Sequence, residues 1–346
     1  MRFESIALRS FRNFEAAKIA WGPGLNFILG PNGSGKTNLL ESLNILAGWG
    51  SLLGRTGGTV SWDSPDGRAL LAARTTGETG HEIMAALSSR MALKLDGKHV
   101  NCTELRLVIP SFTFLPTDVD LIDGPPSVRR VFMDKLCALC FPPYARRLSE
   151  FHQVYRHRAA LLRDRRDACG TDIPFAQLGG WIMESRRVVL SHLLDAPRSL
   201  CGGEDVPFSL AAQPELPAGS NGPEYLLSAL RALAEREARA MRPLVGPGRD
   251  DLRILSGGRP ASEALSRGQK RRVVLSLVLM AGRLIELRLR RKPVLLFDDL
   301  WAELDAGGRR AALEALGGTG WQVFLAGTEA PVPGPSGAHV LELPMR

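Results

Sequence analysis

Gly30-Pro31-Asn32-Gly33-Ser34-Gly35-Lys36-Thr37 stands between the apolar run Leu25-Asn26-Phe27-Ile28-Leu29 and a stretch carrying Leu39, Leu40, Leu43 and Leu46. That order predicts a short buried strand, a glycine-rich turn and an amphipathic helix from Lys36 to about Ala47. The eight residues fit G-x-x-x-x-G-K-[ST] in the strand–turn–helix context the pattern requires. The glycines let the backbone curl so that successive N–H groups point at phosphate oxygens, and the helix N-terminus adds its positive end. Lys36 is expected to reach the β- and γ-phosphates of ATP, and the Thr37 hydroxyl to ligate Mg²⁺. The expected nucleotide site is therefore Gly30, Pro31, Asn32, Gly33, Ser34, Gly35, Lys36 and Thr37.

Far along the chain, Val294-Leu295-Leu296-Phe297-Asp298-Asp299 reads as an apolar strand ending in two carboxylates. Next to a phosphate loop, Asp298 is expected to hold Mg²⁺ opposite Thr37, and Asp299 to orient or deprotonate the attacking water. Beside a dication both acids are expected to be ionised. Leu265-Ser266-Arg267-Gly268-Gln269 opens the longest apolar helix, expected from Ser266 to about Arg290. Alone, Ser266 reads as a helix N-cap. The segment resembles the LSGGQ signature of ABC-type ATPases, with Arg267 in place of the first glycine. The resemblance implies that Ser266, Arg267, Gly268 and Gln269 meet the γ-phosphate held by a second subunit, so that ATP joins two heads. Glu303-Leu304-Asp305 resembles the D-loop of the same family, which places Asp305 at that interface.

Outward from these motifs, the 346 residues suffice for two domains at roughly 150 residues each. Strand patterns fill the first ~115 residues, with Asp96-Gly97 as a two-residue hairpin turn. Helical patterns follow over Val128–Leu139, Tyr144–Asp167, Phe175–Leu194 and Glu224–Met241, with a Pro/Gly-rich stretch from Ala196 to Pro223. The tail alternates helix and strand again. The reading is an α/β head of ABC type assembled from residues 1–117 and 244–346, with a mainly helical insertion over 118–243.

An apolar content of 45% excludes disorder as the main state. The longest nearly apolar run, Val273 to Ala281, is far below the ~20 residues of a membrane helix. The start, MRFESIALRS, has no apolar core of a signal peptide, so a cytoplasmic protein is expected. Five cysteines with irregular spacing define no disulfide framework. Cys137 and Cys140 fall inside a helical pattern, which favours packing over metal or redox chemistry.

The net charge is +8, and 37 of the 44 basic residues are Arg. Arginine binds phosphates bidentately, so a polyanion partner is expected. The Tyr144–Asp167 pattern carries Arg146, Arg147, Arg156, Arg158, Arg163, Arg165 and Arg166, opposite Leu148, Phe151, Tyr155 and Leu162. Its basic face reads either as a solvated surface or as a DNA backbone track, in which Arg146, Arg147, Arg156 and Arg163 are the candidate contacts. With three Tyr and six Trp, phosphate binding is favoured over base stacking. Arg12, followed by Asn13, reads either as a nucleotide contact or as a surface residue on a turn.

Over nearly its whole length the chain resembles the RecF family of bacterial recombination mediators. The matching stretches are Leu8-Arg9-Ser10-Phe11-Arg12-Asn13-Phe14, Gly124-Pro125-Pro126-Ser127-Val128-Arg129-Arg130-Val131-Phe132-Met133-Asp134, Gly246-Pro247-Gly248-Arg249-Asp250-Asp251-Leu252, and Leu265 to Gln269. Three positions depart from the family pattern: Gly248 replaces His, Thr117 replaces Glu, and Ser51-Leu52-Leu53-Gly54-Arg55 blurs an RSFR-like stretch. The resemblance implies an ATP- and Mg²⁺-dependent homodimer that binds DNA at single-strand gaps or junctions. It implies a weak DNA-dependent ATPase, partners of the RecR and RecO type, recombinase loading and a role in the SOS response. The competing reading is the cytosolic ATPase of a transporter. Against it stand Thr328 where a switch histidine is usual, Asp299 where Glu is usual, and the basic insertion. A ribosome-associated ATPase usually carries two such cassettes, and this chain has one. The ~230 residues between phosphate loop and signature show no sustained heptad of the long coiled-coil relatives.

Overall fold

Alternation of buried and exposed side chains sets the first sheet, and near-continuous burial sets the second. The computed structural model describes residues 1–52, 56–77, 79–195, 206–215, 219–300, 304, 306–329 and 337–344. They fall into two units, Met1–Val119 with Pro197–Val206 and Ser266–Arg346, and Asp120–Ala196 with Pro207–Leu265. The sequence pattern puts the divisions at 117/118 and 243/244.

The first unit begins with β1 (Arg2–Phe11), β2 (Phe14–Ala20), β3 (Leu25–Leu29) and α1 (Lys36–Leu46). It continues with β4 (Ala69–Thr76), β5 (Glu82–Leu87), β6 (Met91–Leu95), β7 (Lys98–Val100), α2 (Cys102–Val108) and β8 (Ser111–Phe114). In β1, Phe3, Ile6 and Leu8 are buried between exposed neighbours, the period-2 pattern of a sheet with one wet face. The antiparallel sheet runs β2-β1-β4-β5-β6-β7. The second unit holds α3 (Asp120–Asp123), α4 (Pro126–Cys140), α5 (Tyr144–Arg163), α6 (Asp172–Asp195), β9 (Ser209–Gln213), α7 (Gly222–Ala240), β10 (Asp251–Ser256), β11 (Arg259–Pro260) and α8 (Ala261–Ala264). The chain then returns to the first unit with α9 (Arg267–Leu289), β12 (Val294–Asp298), α10 (Ala306–Gly318), β13 (Gln322–Gly327) and β14 (His339–Glu342). A fully parallel sheet runs β14-β3-β13-β12-β8, so residues from both ends of the chain build it. Its central strands β12 and β13 are buried at every position, as a sheet covered on both faces requires.

Helix α1 contacts strands of both sheets, and Leu39, Leu40, Leu43, Ile45 and Leu46 are fully buried. Each contributes about 1.5–3 kcal/mol of apolar burial, so the helix that opens on the phosphate loop is among the best anchored elements of the unit. Gln322 of β13 clips the sheets together. Its carboxamide accepts from the Phe3 N–H at 2.8 Å and donates to the Phe3 and Gly22 carbonyls at 2.8 Å. Helix α2 lies in a stretch expected to be mainly strand. A reciprocal cap starts it: Asn101 accepts from the Thr103 and Glu104 amides, and the Glu104 carboxylate accepts from the Asn101 amide.

In the second unit the three-stranded sheet β11-β10-β9 includes β10, which falls in a region the sequence pattern leaves between helices. Two of the stretches that carry the family resemblance meet here. Arg129 holds Asp251 through two bonds of 2.7 and 3.0 Å, and Arg186 spans Asp134 and Asp250. Burial pushes the Asp250 carboxyl up to about 6, against the pull of Arg186. Cys137 is buried within α4, and burial raises its thiol well above the ordinary range. Gly248, at one of the departures, is exposed with open space where a side chain would stand.

Arg158 of α5 is 4% exposed and is paired with Asp172 and with the fully buried Glu237 of α7. Glu237 also accepts the Leu244 amide at 2.7 Å. Glu237→Ala strands part of a buried guanidinium and an amide, a change that costs about 3–5 kcal/mol. A urea denaturation curve followed by circular dichroism is expected to show that loss; an unmoved midpoint would contradict the packing described for α5 and α7.

Candidate functional site

The phosphate loop follows β3 and closes onto α1 without a side-chain cap at Gly35. Gly35 has φ +101, and a Cβ there would strike the Asn13 carboxamide at 2.5 Å, so only glycine fits. Asn13 is braced on two sides: its amide donates to the Ser34 carbonyl at 3.3 Å, and its oxygen accepts from Asn38 at 2.8 Å. The loop is thus gripped from the β1–β2 turn. The Lys36 ammonium donates to the Gly30 and Pro31 carbonyls at 2.7 and 2.9 Å. It lies inside the curl of the loop, where a phosphate would compete for it.

The predicted pairing of the distant motifs is present in the first unit. The Thr37 hydroxyl donates to Asp298 Oδ2 at 2.7 Å. Parallel pairing of β12 with β13, and of β13 with β3, delivers the strand-end carboxylates beside the loop. Asp298 is 8% exposed. Burial raises its pKa, the Thr37 hydrogen bond and Lys36 oppose that, and neighbouring Asp299 adds to it. A buried carboxylate next to a second acid is short of positive charge. Thr37 and Asp298 form an all-oxygen donor set that fits a hard dication such as Mg²⁺, together with phosphate oxygens and water. Asp299 leaves the strand at φ +49, a left-handed conformation uncommon outside glycine, with its amide donating to the Ala326 carbonyl at 3.1 Å. Such outliers concentrate at functional sites.

Arg12 is turned onto Glu41 of α1, which it holds through bonds of 2.8 and 3.0 Å, while its remaining nitrogen reaches the Gly58 carbonyl at 2.7 Å. The Glu41 side chain is fully buried and also accepts from the Ser51 hydroxyl and the Leu52 amide. Arg12 therefore ties the β1–β2 turn to the helix behind the loop. Sequence reading missed Glu41, because an acid within an apolar helix gives no signal of its own.

Ser266 caps α9 and shares a reciprocal cap with Gln269: the Gln269 amide donates to the serine hydroxyl at 3.4 Å, and the Ser266 amide to the glutamine side chain at 2.9 Å. Ser266 and Arg267 are exposed at the start of a helix whose later turns are buried. Trp301, Ala302, Glu303 and Asp305 lie outside the described residues, as do Leu53, Gly54 and Arg55. The candidate DNA contacts sort differently along α5. Arg146 is exposed, 3.5 Å from Glu150, and Arg147 lies over the Trp181 ring at 4.3 Å. Arg156 is exposed and bonds the His152 carbonyl, and Arg163 is exposed, 3.7 Å from Asp164. Among the described residues no helix is long and apolar enough to cross a membrane.

A phosphate loop on a parallel sheet, carboxylates at the end of β12, a signature segment capping α9 and an antiparallel sheet on the same core define an ATPase head of ABC type. Comparison with known proteins narrows that class. Residues 5–68 match the AAA domain family. The chain is 31% identical over 343 residues to the DNA replication and repair protein RecF of Moorella thermoacetica, covering 95% of this chain and 90% of that protein. It is 32% identical over 338 residues to its counterpart in Deinococcus deserti, covering 95% and 91%. The chain belongs to the RecF family of DNA replication and repair proteins. In fold it is similar to the recombination mediator protein RecF solved as RecF-ATPrS, of the RecFOR pathway, with a TM-score of 0.87, 23% identity and coverage of 99% of this chain and 95% of that one. An Smc head bound to the C-terminal winged-helix domain of ScpA gives 0.57 at 16% identity, over 100% and 95% of the two chains. Family membership sets the transporter reading aside.

Proposed function

We propose that this chain is an ATP-dependent DNA-binding protein of recombinational repair, acting at single-strand gaps or junctions and using slow ATP hydrolysis as a switch. The observation that carries the reading is the 2.7 Å bond between Thr37 and Asp298, which joins the two halves of an ATP–Mg²⁺ site inside a chain of this family. ATP is held by Gly30 to Thr37, and bound Mg²⁺ supplies charge neutralisation at the phosphates. Asp299 positions the attacking water and takes its proton. Two such heads close on ATP, each offering Ser266, Arg267, Gly268 and Gln269 to the other's nucleotide. RecR- and RecO-type proteins are the expected partners, a reading supported by relatives of the RecFOR pathway. The cytoplasm is the expected compartment.

Two measurements test it. Asp299→Asn is expected to keep ATP bound while slowing hydrolysis by roughly 100-fold or more, the scale of a lost general base. Unchanged turnover would make Asp299 structural. Titration of gapped, single- and double-stranded DNA, with and without ATP, should show affinity that depends on nucleotide. Absence of binding to every form would overturn the DNA-repair reading.

A further inference from the structure

The last turns of α5 and α7 share an architecture that neither segment announces in sequence. Just past the end of each helix stands a non-glycine residue in the left-handed conformation, Arg165 two residues beyond α5 at φ 56 and Met241 directly after α7 at φ 52. In each case the next residue donates its amide five residues back: Arg166 to Leu161 at 2.8 Å, and Arg242 to Glu237 at 3.4 Å. This is the six-to-one bond of a Schellman cap, which normally takes glycine at its left-handed position. The Arg158–Glu237 pair sets the helices side by side near these ends. One open cavity is lined from both ends, by Leu162, Arg165, Arg166, Ala238, Arg239 and Met241, with Asp167 as its one acid. The two helices therefore end level with each other, and their caps fix the backbone from which the arginines project.

The charge there is poorly compensated. Arg165, Arg166, Arg239 and Arg242 are all exposed. Among the described residues none of Arg165, Arg166 and Arg242 has a carboxylate within ion-pair distance. Of the acids nearby, Asp167 accepts the Cys169 amide and Asp164 faces Arg163. Arg239 is 3.8 Å from an almost fully exposed Glu235, a pair worth little in water. The helix dipoles favour a cation in each last turn, and Arg163 and Arg239 already occupy those positions. Arg166 and Arg242 lie beyond them, on backbone held by strained caps. Several guanidinium groups on a rigid frame, with no aromatic ring among the described residues that line the cavity, suit a row of phosphates read without regard to base.

We infer that the end of the helical unit where α5 and α7 stop is a binding site for the phosphate backbone of nucleic acid, with Arg166 and Arg242 as its principal contacts. The inference rests on the proposal that the chain binds DNA and names the surface that does so. It takes none of the four candidate contacts on α5 and adds the end of α7, which sequence reading left out of the DNA track.

The test is fluorescence anisotropy of the full-length protein with labelled duplex, gapped and single-stranded DNA across a salt series. Arg166→Glu with Arg242→Glu leaves the left-handed cap residues in place. The double variant should bind each form at least about tenfold more weakly than wild type, and its log–log salt slope on duplex should fall by roughly 2, one charge contact per arginine. Arg166→Lys with Arg242→Lys should restore most of the affinity, and thermal midpoint and ATP binding should match wild type in both. If wild type binds and the glutamate variant keeps its affinity and slope, the site lies elsewhere and the inference is wrong. If the lysine variant binds as weakly as the glutamate one, charge at these positions is not what DNA reads, which also overturns it. If wild type binds no form of DNA, the underlying proposal has failed, and this inference with it.

Discussion

Lys36→Met is expected to lower ATP affinity by at least about 100-fold, near 3 kcal/mol at 1.4 kcal/mol per tenfold. Methionine keeps an unbranched stem of similar reach, so the half-buried side chain can still pack against the loop. What disappears is one positive charge and the hydrogen bonds to the Gly30 and Pro31 carbonyls. Those bonds hold the ammonium inside the curl before nucleotide arrives, so little ordering is needed when phosphate replaces the carbonyls. Asp298 and Asp299 stand beside the same site. Without Lys36 the triphosphate would meet two carboxylates with one fewer cation between them, and repulsion adds to the lost attraction. Isothermal titration with a non-hydrolysable ATP analogue measures the effect directly. Wild-type affinity in the variant would remove the basis for assigning Gly30 to Thr37 as the nucleotide site. With ATP binding lost in Lys36→Met, DNA binding should lose its dependence on ATP while retaining its dependence on salt.

The parts of this site that are local in sequence were legible in it. The loop, its strand and its helix follow one another, so their chemistry is written in one short stretch. Asp298 and Asp299 were legible because a buried strand ending in two acids, a common pattern on its own, gains a specific meaning once the same chain carries a phosphate loop. Contacts made only by folding were not. Glu41 pins Arg12 and Asn13 braces Gly35 across the β1–β2 turn, and no spacing rule links residues 29 and 22 positions apart. The same limit hid the clustered ends of α5 and α7. Helix α5 reads as running to Asp167 because nothing marks its stop. The left-handed position is Arg165, where glycine would have signalled a cap, and tertiary packing around Arg158 overrides the local preference. Strand β10 was hidden for a similar reason: its pairing with β9 joins segments about 40 residues apart, with helix α7 between them and β9 inside a Pro/Gly-rich stretch.

Ser266→Arg is expected to abolish ATP-dependent dimerisation while leaving ATP binding by the monomer intact. In the single chain Ser266 does the work of a cap, with its hydroxyl on the Gln269 amide and the glutamine folded back on its own amide. Losing that cap costs about 1 kcal/mol, and the apolar body of α9, buried from Val273 to Ile285, absorbs a loss of that size. The phosphate loop is untouched, so monomer affinity for ATP should stay within about twofold of wild type. At a composite site the consequence is different. The first amides of α9 must come within hydrogen-bond reach of a phosphate on the second subunit, a distance that a serine permits and an arginine side chain obstructs. A favourable charge on the new residue does not remedy this, because the obstruction lies between backbone and ligand. Light scattering with ATP and Mg²⁺ should report monomer for Ser266→Arg, and hydrolysis should fall with the dimer. Ser266→Ala separates the two roles: it removes the cap but keeps the space, so dimerisation should weaken only modestly. An arginine variant that dimerises like wild type would reduce Ser266 to a helix cap. A variant that loses ATP binding as a monomer would place the signature against its own nucleotide, and the two-head arrangement would have to be abandoned.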